Sequence, residues 1–384
     1  MAASLPKLCS NFFARYGCAS VDPARMIDLP GLPVSTFNMW FLSSLLPNIR
    51  QFSSMLDRSS IPGDVTLQAS GFIALADISA VTVRTALVGS TTYFDVLVIA
   101  PGMHQQQSAG EINRGEFPTT GAMTTGYVFR VENPATVNYL QNIGITGHLV
   151  TAHVYPHPSC DENLSRQNKL IRSFFVTGVP ATLLYALCPA LTIIVVVLLC
   201  VIQDWWGLGV LGGFALARFI NMVVIKRRNE KGWKGEPEKG ANGDLLILLS
   251  QDRWVRLQGS VEDLKAVTAG QWLRDLTAIE SFAVTCATMA IYVSAVLAFN
   301  ASTIGNLLIA GLLLSTVALL TLCNSSTQCL QMCDRVIRRV RISERYPRRR
   351  VLADQLVAEM GRKDWAIGMG LVLPDPGERG AVNV

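Results

Sequence analysis

Residues 173–203, SFFVTGVPATLLYALCPALTIIVVVLLCVIQ, carry no charged side chain, and no other feature limits the fold of this chain as strongly. A helix rises about 1.5 Å per residue, so roughly 20 apolar residues cross a hydrocarbon core about 30 Å thick. Residues 183–202 alone meet that requirement, and the Ile-Val-Val-Val-Leu-Leu run within them favours a membrane span over a buried helix of a soluble core. Composition agrees. Half of the 384 residues are hydrophobic and only 16% are charged, against about a quarter in ordinary soluble domains.

Only Asp204, Trp205 and Trp206 separate this stretch from a second apolar run that extends to Ile225. So short a connection predicts an antiparallel hairpin, with the tryptophans at the membrane interface. Residues 281–333 are again uncharged and too long for one helix, and the polar turn at residues 299–303 divides them. The expectation is four transmembrane helices in two hairpins, residues 173–225 and 280–323. Lys and Arg crowd three of the five segments that flank the spans: Arg166, Lys169 and Arg172, then Lys226, Arg227, Arg228, Lys231 and Lys234, then Arg335, Arg338, Arg339 and Arg341. The turns around Asp204 and Asn300 carry none. Positively charged loops resist translocation, so both termini and the central loop are expected in the cytosol.

Small residues recur at four-residue spacing within the spans: Gly209, Gly213 and Ala217; Ala283 and Ala287; Ala290, Ser294 and Ala298. Such rows let helix backbones approach closely, in a bundle or a homo-oligomer. One charge lies deep in a span. Arg218 either snorkels to the headgroups or pairs with Glu280 at the start of the third span, and an intramembrane charge pair would open a transporter or channel reading.

Residues 1–60 read as an N-terminal segment with a short interfacial helix at FNMWFLSSLL, residues 37–46, and without a secretory signal. Residues 61–160 change to β-branched runs broken by Gly, Pro and Asn, which predicts a small cytosolic α+β domain. Its expected strands include SAVTVRTALV, YFDVLVIAPG, YVFRV and HLVTAHVY. Asn133 and Pro134 are expected to start a short helix that Gly144 closes. All four histidines of the chain lie here, and His153, His157 and Cys160 offer a weak zinc pattern that Pro156 and Pro158 work against. No nucleophile elbow, phosphate-binding loop or dinucleotide fingerprint occurs, so no cofactor is expected and a metal-dependent enzyme ranks third among the functional readings.

The cytosolic loop, residues 226–277, begins with a Gly- and Lys-rich linker and continues as DLLILLSQDRWVRLQG, two short strands about a polar turn. Ser260 with Asp263 then caps a helix that ends at Gly270, giving a ββα module whose leucines need a cover. The stretch GDLLILLSQDRWVRLQGSVEDLKAVTAGQWLRD, with VPATLLYALCPALT and QDWW before it, resembles a group of multi-pass integral membrane proteins of ascomycete fungi to which no activity is assigned. The resemblance covers roughly residues 173–369; it implies the four spans and no catalytic residues.

The tail, residues 324–384, opens with CLQMCDRVIRRVRISERYPRRR, read as a basic amphipathic helix whose Arg335, Arg338, Arg339 and Arg341 contact anionic lipids of the cytosolic leaflet. A second amphipathic helix follows Pro347. No stacking aromatics interleave the arginines, which argues against nucleic acid. The fold class expected is thus a mainly α membrane protein with a small cytosolic α+β domain and a ββα loop module. Its leading function is non-catalytic binding or scaffolding at the cytosolic membrane face, with a protein partner or a second copy engaging residues 244–276.

Overall fold

The computed structural model describes residues 69–106, 108–160, 165–229, 235, 236, 238 and 240–374. The expected interfacial helix at residues 37–46 lies outside them. Four helices are long and apolar enough to cross a membrane: α6 (Val179–Ile202), α7 (Trp205–Arg228), α9 (Ala278–Leu297, extended by a short turn to Asn300) and α10 (Thr303–Ser326). Each forms along a predominantly apolar run, because a helix satisfies its own backbone where no water is at hand.

The closest helix packing joins α7 to α9 and α6 to α10, and therefore does not follow the two sequence hairpins. Gly213 is the tight point of the first pair, since a Cβ there would fall 2.1 Å from Ser294 Oγ. Gly209, from the same row of small residues, faces open space. At the end of the bundle farther from the sheet, Asp204 ties two turns together. Its Oδ1 accepts from Gly207 N at 2.9 Å and so caps α7, while Oδ2 accepts from Ser302 N at 2.9 Å and Ser302 Oγ at 2.6 Å. Trp205 and Trp206 stand exposed beside it, where amphipathic rings suit the membrane interface.

Residues 69–106 do not join a cytosolic domain as expected; they pack into the bundle. Helix α1 (Ser70–Ala74) lies against α9 and α10 at the Asp204 end, with Ser70 Oγ donating to Asn306 Oδ1 and the Gly71 Cα against the Ala295 carbonyl. Helix α2 (Ala80–Val88) lies along the other end of α10, where Asn324 Nδ2 donates to Ala80 O at 2.9 Å. The chain then turns back between the spans through the 3-10 segment Tyr93–Leu97, and Ile99 and Met103 are buried with Phe214, Leu199 and Ile309. The first two runs read as strands, SAVTVRTALV and YFDVLVIAPG, are thus helical or irregular, whereas YVFRV and HLVTAHVY do form strands. With apolar helices on several sides, residues 80–88 bury more than one face, which removes the alternation a half-exposed strand would need.

The sheet domain also departs from the expectation of separate modules. Strands β1 (Thr119–Ala122), β2 (Val128–Arg130) and β3 (His148–Pro156) precede the spans, β4 (Asn242–Leu249) and β5 (Arg253–Ser260) lie between α7 and α9, and β6 (Cys329–Met332) and β7 (Arg335–Arg345) follow α10. All belong to one seven-stranded sheet of order β2-β1-β4-β5-β3-β7-β6, so "mainly α" understates its strand content. Every pairing is antiparallel except β3 with β5, where Val150 lies opposite Val255. Parallel neighbours need a long crossover, and here that crossover contains α6 and α7.

On one face of the sheet, Leu245, Ile247, Val255 and Leu257 pack with α4 (Pro134–Ile143), α8 (Val261–Thr268) and Ile225 from the last turn of α7. Leu246 and Trp254 point to the other face and pack with α11 (Arg349–Met360) and α12 (Asp364–Gly368) through Leu352, Leu356 and Trp365. Asn133 Oδ1 caps α4 by accepting from Ala135 N and Thr136 N, and Ser260 Oγ caps α8 by accepting from Asp263 N at 3.1 Å. The short helices α3 (Ala109–Ile112) and α5 (Arg166–Phe174) complete the described α-helices.

Asp204→Ala removes a helix cap and two hydrogen bonds between turns, each to a charged acceptor. Thermal unfolding in detergent should show a loss of about 2–3 kcal/mol, whereas an exposed surface carboxylate changed the same way should move stability by less than about 0.5 kcal/mol.

Candidate functional site

The polar groups that converge at membrane depth come from the inserted segment and from the spans that enclose it. Three span side chains donate to its carbonyls: Thr192 Oγ1 to Leu97 O at 2.6 Å, Arg218 Nε to Asp95 O at 3.2 Å, and Asn221 Nδ2 to Met103 O at 3.1 Å. All three are buried. The segment returns bonds of its own, from Thr91 Oγ1 to Met222 O at 3.4 Å and from Gln106 Nε2 to Asn221 Oδ1 at 2.8 Å. Irregular backbone survives in a bilayer only where protein or a wet cavity satisfies it, and these bonds meet that demand.

Beside them lies a cavity of about 80 Å³ between α2, α6, α7, α10 and the 3-10 turn. Arg84, Ser90, Thr92, Asp95, Tyr185 and Arg218 supply its polar lining. The Asp95 carboxylate caps the 3-10 turn by accepting from Thr92 N at 2.6 Å and also accepts from the Tyr185 hydroxyl. Arg84 lies over the Tyr185 ring, 5.1 Å from its centroid, and its Nη1 donates to Thr327 Oγ1 at 3.1 Å.

The expected pair of Arg218 with Glu280 is not formed. Glu280 sits at the sheet-side end of α9, in a capping box with Thr277. Its two oxygens accept from Arg274 at 2.7 and 2.8 Å, and Arg227 Nε lies 3.8 Å away. Arg227 is about nine residues, or roughly 14 Å, further along α7 than Arg218, so the two groups sit at different depths. Snorkelling does not describe Arg218 either, because its side chain is buried against Asp95. Glu280 instead joins a network at the sheet end of the bundle, where Arg228 donates from Nε to Arg274 O at 2.8 Å and from Nη1 to Gln106 Oε1 at 3.1 Å.

The arginines read as one lipid-facing helical face belong to strand β7. Alternation along a strand sends the Arg335 and Arg339 positions to one side and Arg338 to the other. Arg335 forms an ion pair with Asp263 of α8, and Arg338 is exposed beside Tyr155. The apolar residues Val336 and Ile337 are buried on opposite faces, which a strand accommodates and a one-sided surface helix does not. Cys329, at the start of the hairpin, is also buried, and burial pushes its thiol up to about 11.

The zinc pattern does not assemble. His153 lies exposed on β3 with Gln258 and Arg338 as its cross-strand neighbours, while His157 Nδ1 shares a hydrogen bond with Ser159 Oγ at 2.7 Å. Burial lowers the His157 pKa, against the opposing pull of Asp334. Cys160 is a free, exposed thiol, and among the described residues no three His, Cys, Asp or Glu side chains converge on a possible metal position.

Sequence reasoning singled out Arg218 but missed Asp95, Arg84 and Asn221 around it. The signal available was the presence of Asn and Thr inside the spans, since a buried amide in a membrane helix needs a partner. No known protein family, curated protein or solved structure matches the chain.

Because Arg218 and Glu280 share no partner, the stability losses of Arg218→Leu and Glu280→Gln should add within about 0.5 kcal/mol. A double-mutant cycle on Arg274 and Glu280 should instead show coupling of about 1–2 kcal/mol, measured by thermal unfolding in detergent.

Proposed function

We propose that this chain is a multi-pass membrane protein that acts by binding rather than catalysis, its sheet domain serving as a platform held against the spans at the cytosolic face. The observation that supports this reading is the interleaving of sheet and membrane segments: strands from before α6, between α7 and α9, and after α10 pair in one sheet. A partner bound on that sheet acts at once on strands from all three of these chain segments. The transport alternative loses the Arg218–Glu280 pair on which it rested.

Residues 244–276 were expected to form the partner surface, yet β4 and β5 occupy the interior of the sheet, with β1 and β3 as their outer neighbours. We therefore assign partner binding to the sheet domain as a whole, and contact with anionic lipids to basic groups at the span ends. Lys226, whose Nζ lies 3.5 Å from the Tyr93 ring centroid, and the exposed Arg227 and Arg172 supply such groups. Each basic residue near an anionic leaflet contributes about 1 kcal/mol. The resemblance to ascomycete multi-pass proteins belongs to the same proposal, carried by the spans and the β4–β5–α8 unit.

Crosslinking of the full chain in its own membrane, followed by mass spectrometry, tests the platform. Partner peptides should attach to sheet-domain lysines such as Lys265 and Lys363. Solute or ion flux through liposomes containing the purified protein, abolished by Arg218→Gln, would contradict it.

The proposed orientation places the sheet in the cytosol, because Lys226, Arg227 and Arg228 end α7 while the turns near Asp204 and Asn300 carry no Lys or Arg. Residue 69 then opens on the opposite face, beside Asn306, and the cytosolic placement expected for this stretch is revised accordingly. An impermeant thiol reagent applied to sealed vesicles should label Ala69→Cys and Gly240→Cys from opposite sides. Labelling of both from one side would overturn the assignment.

A further inference from the structure

We infer that the cavity beside Arg218 binds a phosphate-class oxyanion. The Arg218 residue is 3% exposed, and among the described residues its guanidinium makes a single hydrogen bond, from Nε to the Asp95 carbonyl at 3.2 Å. Nη1 and Nη2 thus make no hydrogen bond among the described residues, and they belong to a buried side chain that lines the cavity. Isolated buried charge is so unfavourable that such a group ordinarily acquires a counter-charge. Asp95 is the nearest acid, but its oxygens are engaged by the Thr92 amide and the Tyr185 hydroxyl.

Arg84 adds a second guanidinium to the same lining, and its buried Nε has no hydrogen-bond partner among the described residues. Two arginines against one aspartate leave the lining one positive charge in excess. The Ser90 hydroxyl completes a set of donors able to meet more than one oxygen of the same anion. Planar guanidinium forks match pairs of phosphate oxygens better than they match a spherical halide. The volume of about 80 Å³ fits as well, since a water molecule needs only about 10–15 Å³ on the same kind of measure. The anion is accordingly small and singly charged. Arg84 also bonds Thr327, just past the sheet-side end of α10, which puts that side of the cavity near headgroup level. A free phosphate and the phosphate of a lipid headgroup share this chemistry.

The test uses the full chain in phosphatidylcholine nanodiscs, with thermal unfolding followed as inorganic phosphate is raised at constant ionic strength. A parallel series replaces part of the phosphatidylcholine with phosphatidic acid. Saturable stabilisation in either series is expected, and it should be lost in Arg218→Gln. Arg84→Gln and Ser90→Ala should each raise the half-saturating concentration, the former at least tenfold. A response to phosphate assigns a free anion, and a response to phosphatidic acid alone assigns the headgroup. If Arg218→Gln fails to fold, Arg84→Gln decides. Absence of saturable stabilisation in both series overturns the inference, as does an unchanged half-saturating concentration in Arg84→Gln.

Discussion

The demand of buried backbone for hydrogen bonds organises this molecule more than any single contact between helices. Residues 92–106 are irregular for most of their length, and they lie among apolar spans where an unpaired carbonyl would cost several kcal/mol. Thr192, Arg218 and Asn221 supply the missing donors from α6 and α7. Their placement explains why polar residues persist in helices otherwise built for lipid, and why those helices pack around the inserted segment instead of closing as two independent hairpins.

The same economy of polar groups governs the junction with the sheet. Arg227, Arg228, Arg274 and Glu280 form a connected network where α7 ends and α9 begins, and Trp272 Nε1 donates to Gly89 O at 2.7 Å from the linker between them. Gly89 has a φ of +74°, and a Cβ there would fall 2.3 Å from Gln331 O of β6, so glycine is required for α2 to end against the sheet. Bundle and sheet are thereby joined by side chains as well as by chain connections.

What was legible in the sequence was what short stretches determine by themselves. Four spans follow from length and lack of charge, α4 and α8 from their Asn133 and Ser260 caps, and the β4–β5 pair from two apolar runs about a polar turn. The hairpin of β6 and β7 was hidden because its turn residues, Cys333 and Asp334, adopt positive φ without the glycine or asparagine that usually marks such a turn. Arginines on both sides of β7 then imitated a basic helix. The parallel pairing of β3 with β5 and the burial of residues 69–106 depend on contacts between distant parts of the chain. No local pattern encodes them. The cavity was half legible: Arg218 announced itself as a charge among apolar residues, whereas Arg84 and Asp95 looked like ordinary polar positions of a soluble domain.

The most direct measurement is proximity between the inserted segment and the far end of α10 in an intact membrane. A short bifunctional thiol reagent applied to the Ser70→Cys, Asn306→Cys protein should join the two positions within one chain, as identified by mass spectrometry of the linked peptides. Failure to form that link, together with linking of the Ser70→Cys position to residues of the sheet, would contradict a chain that runs through its own bundle.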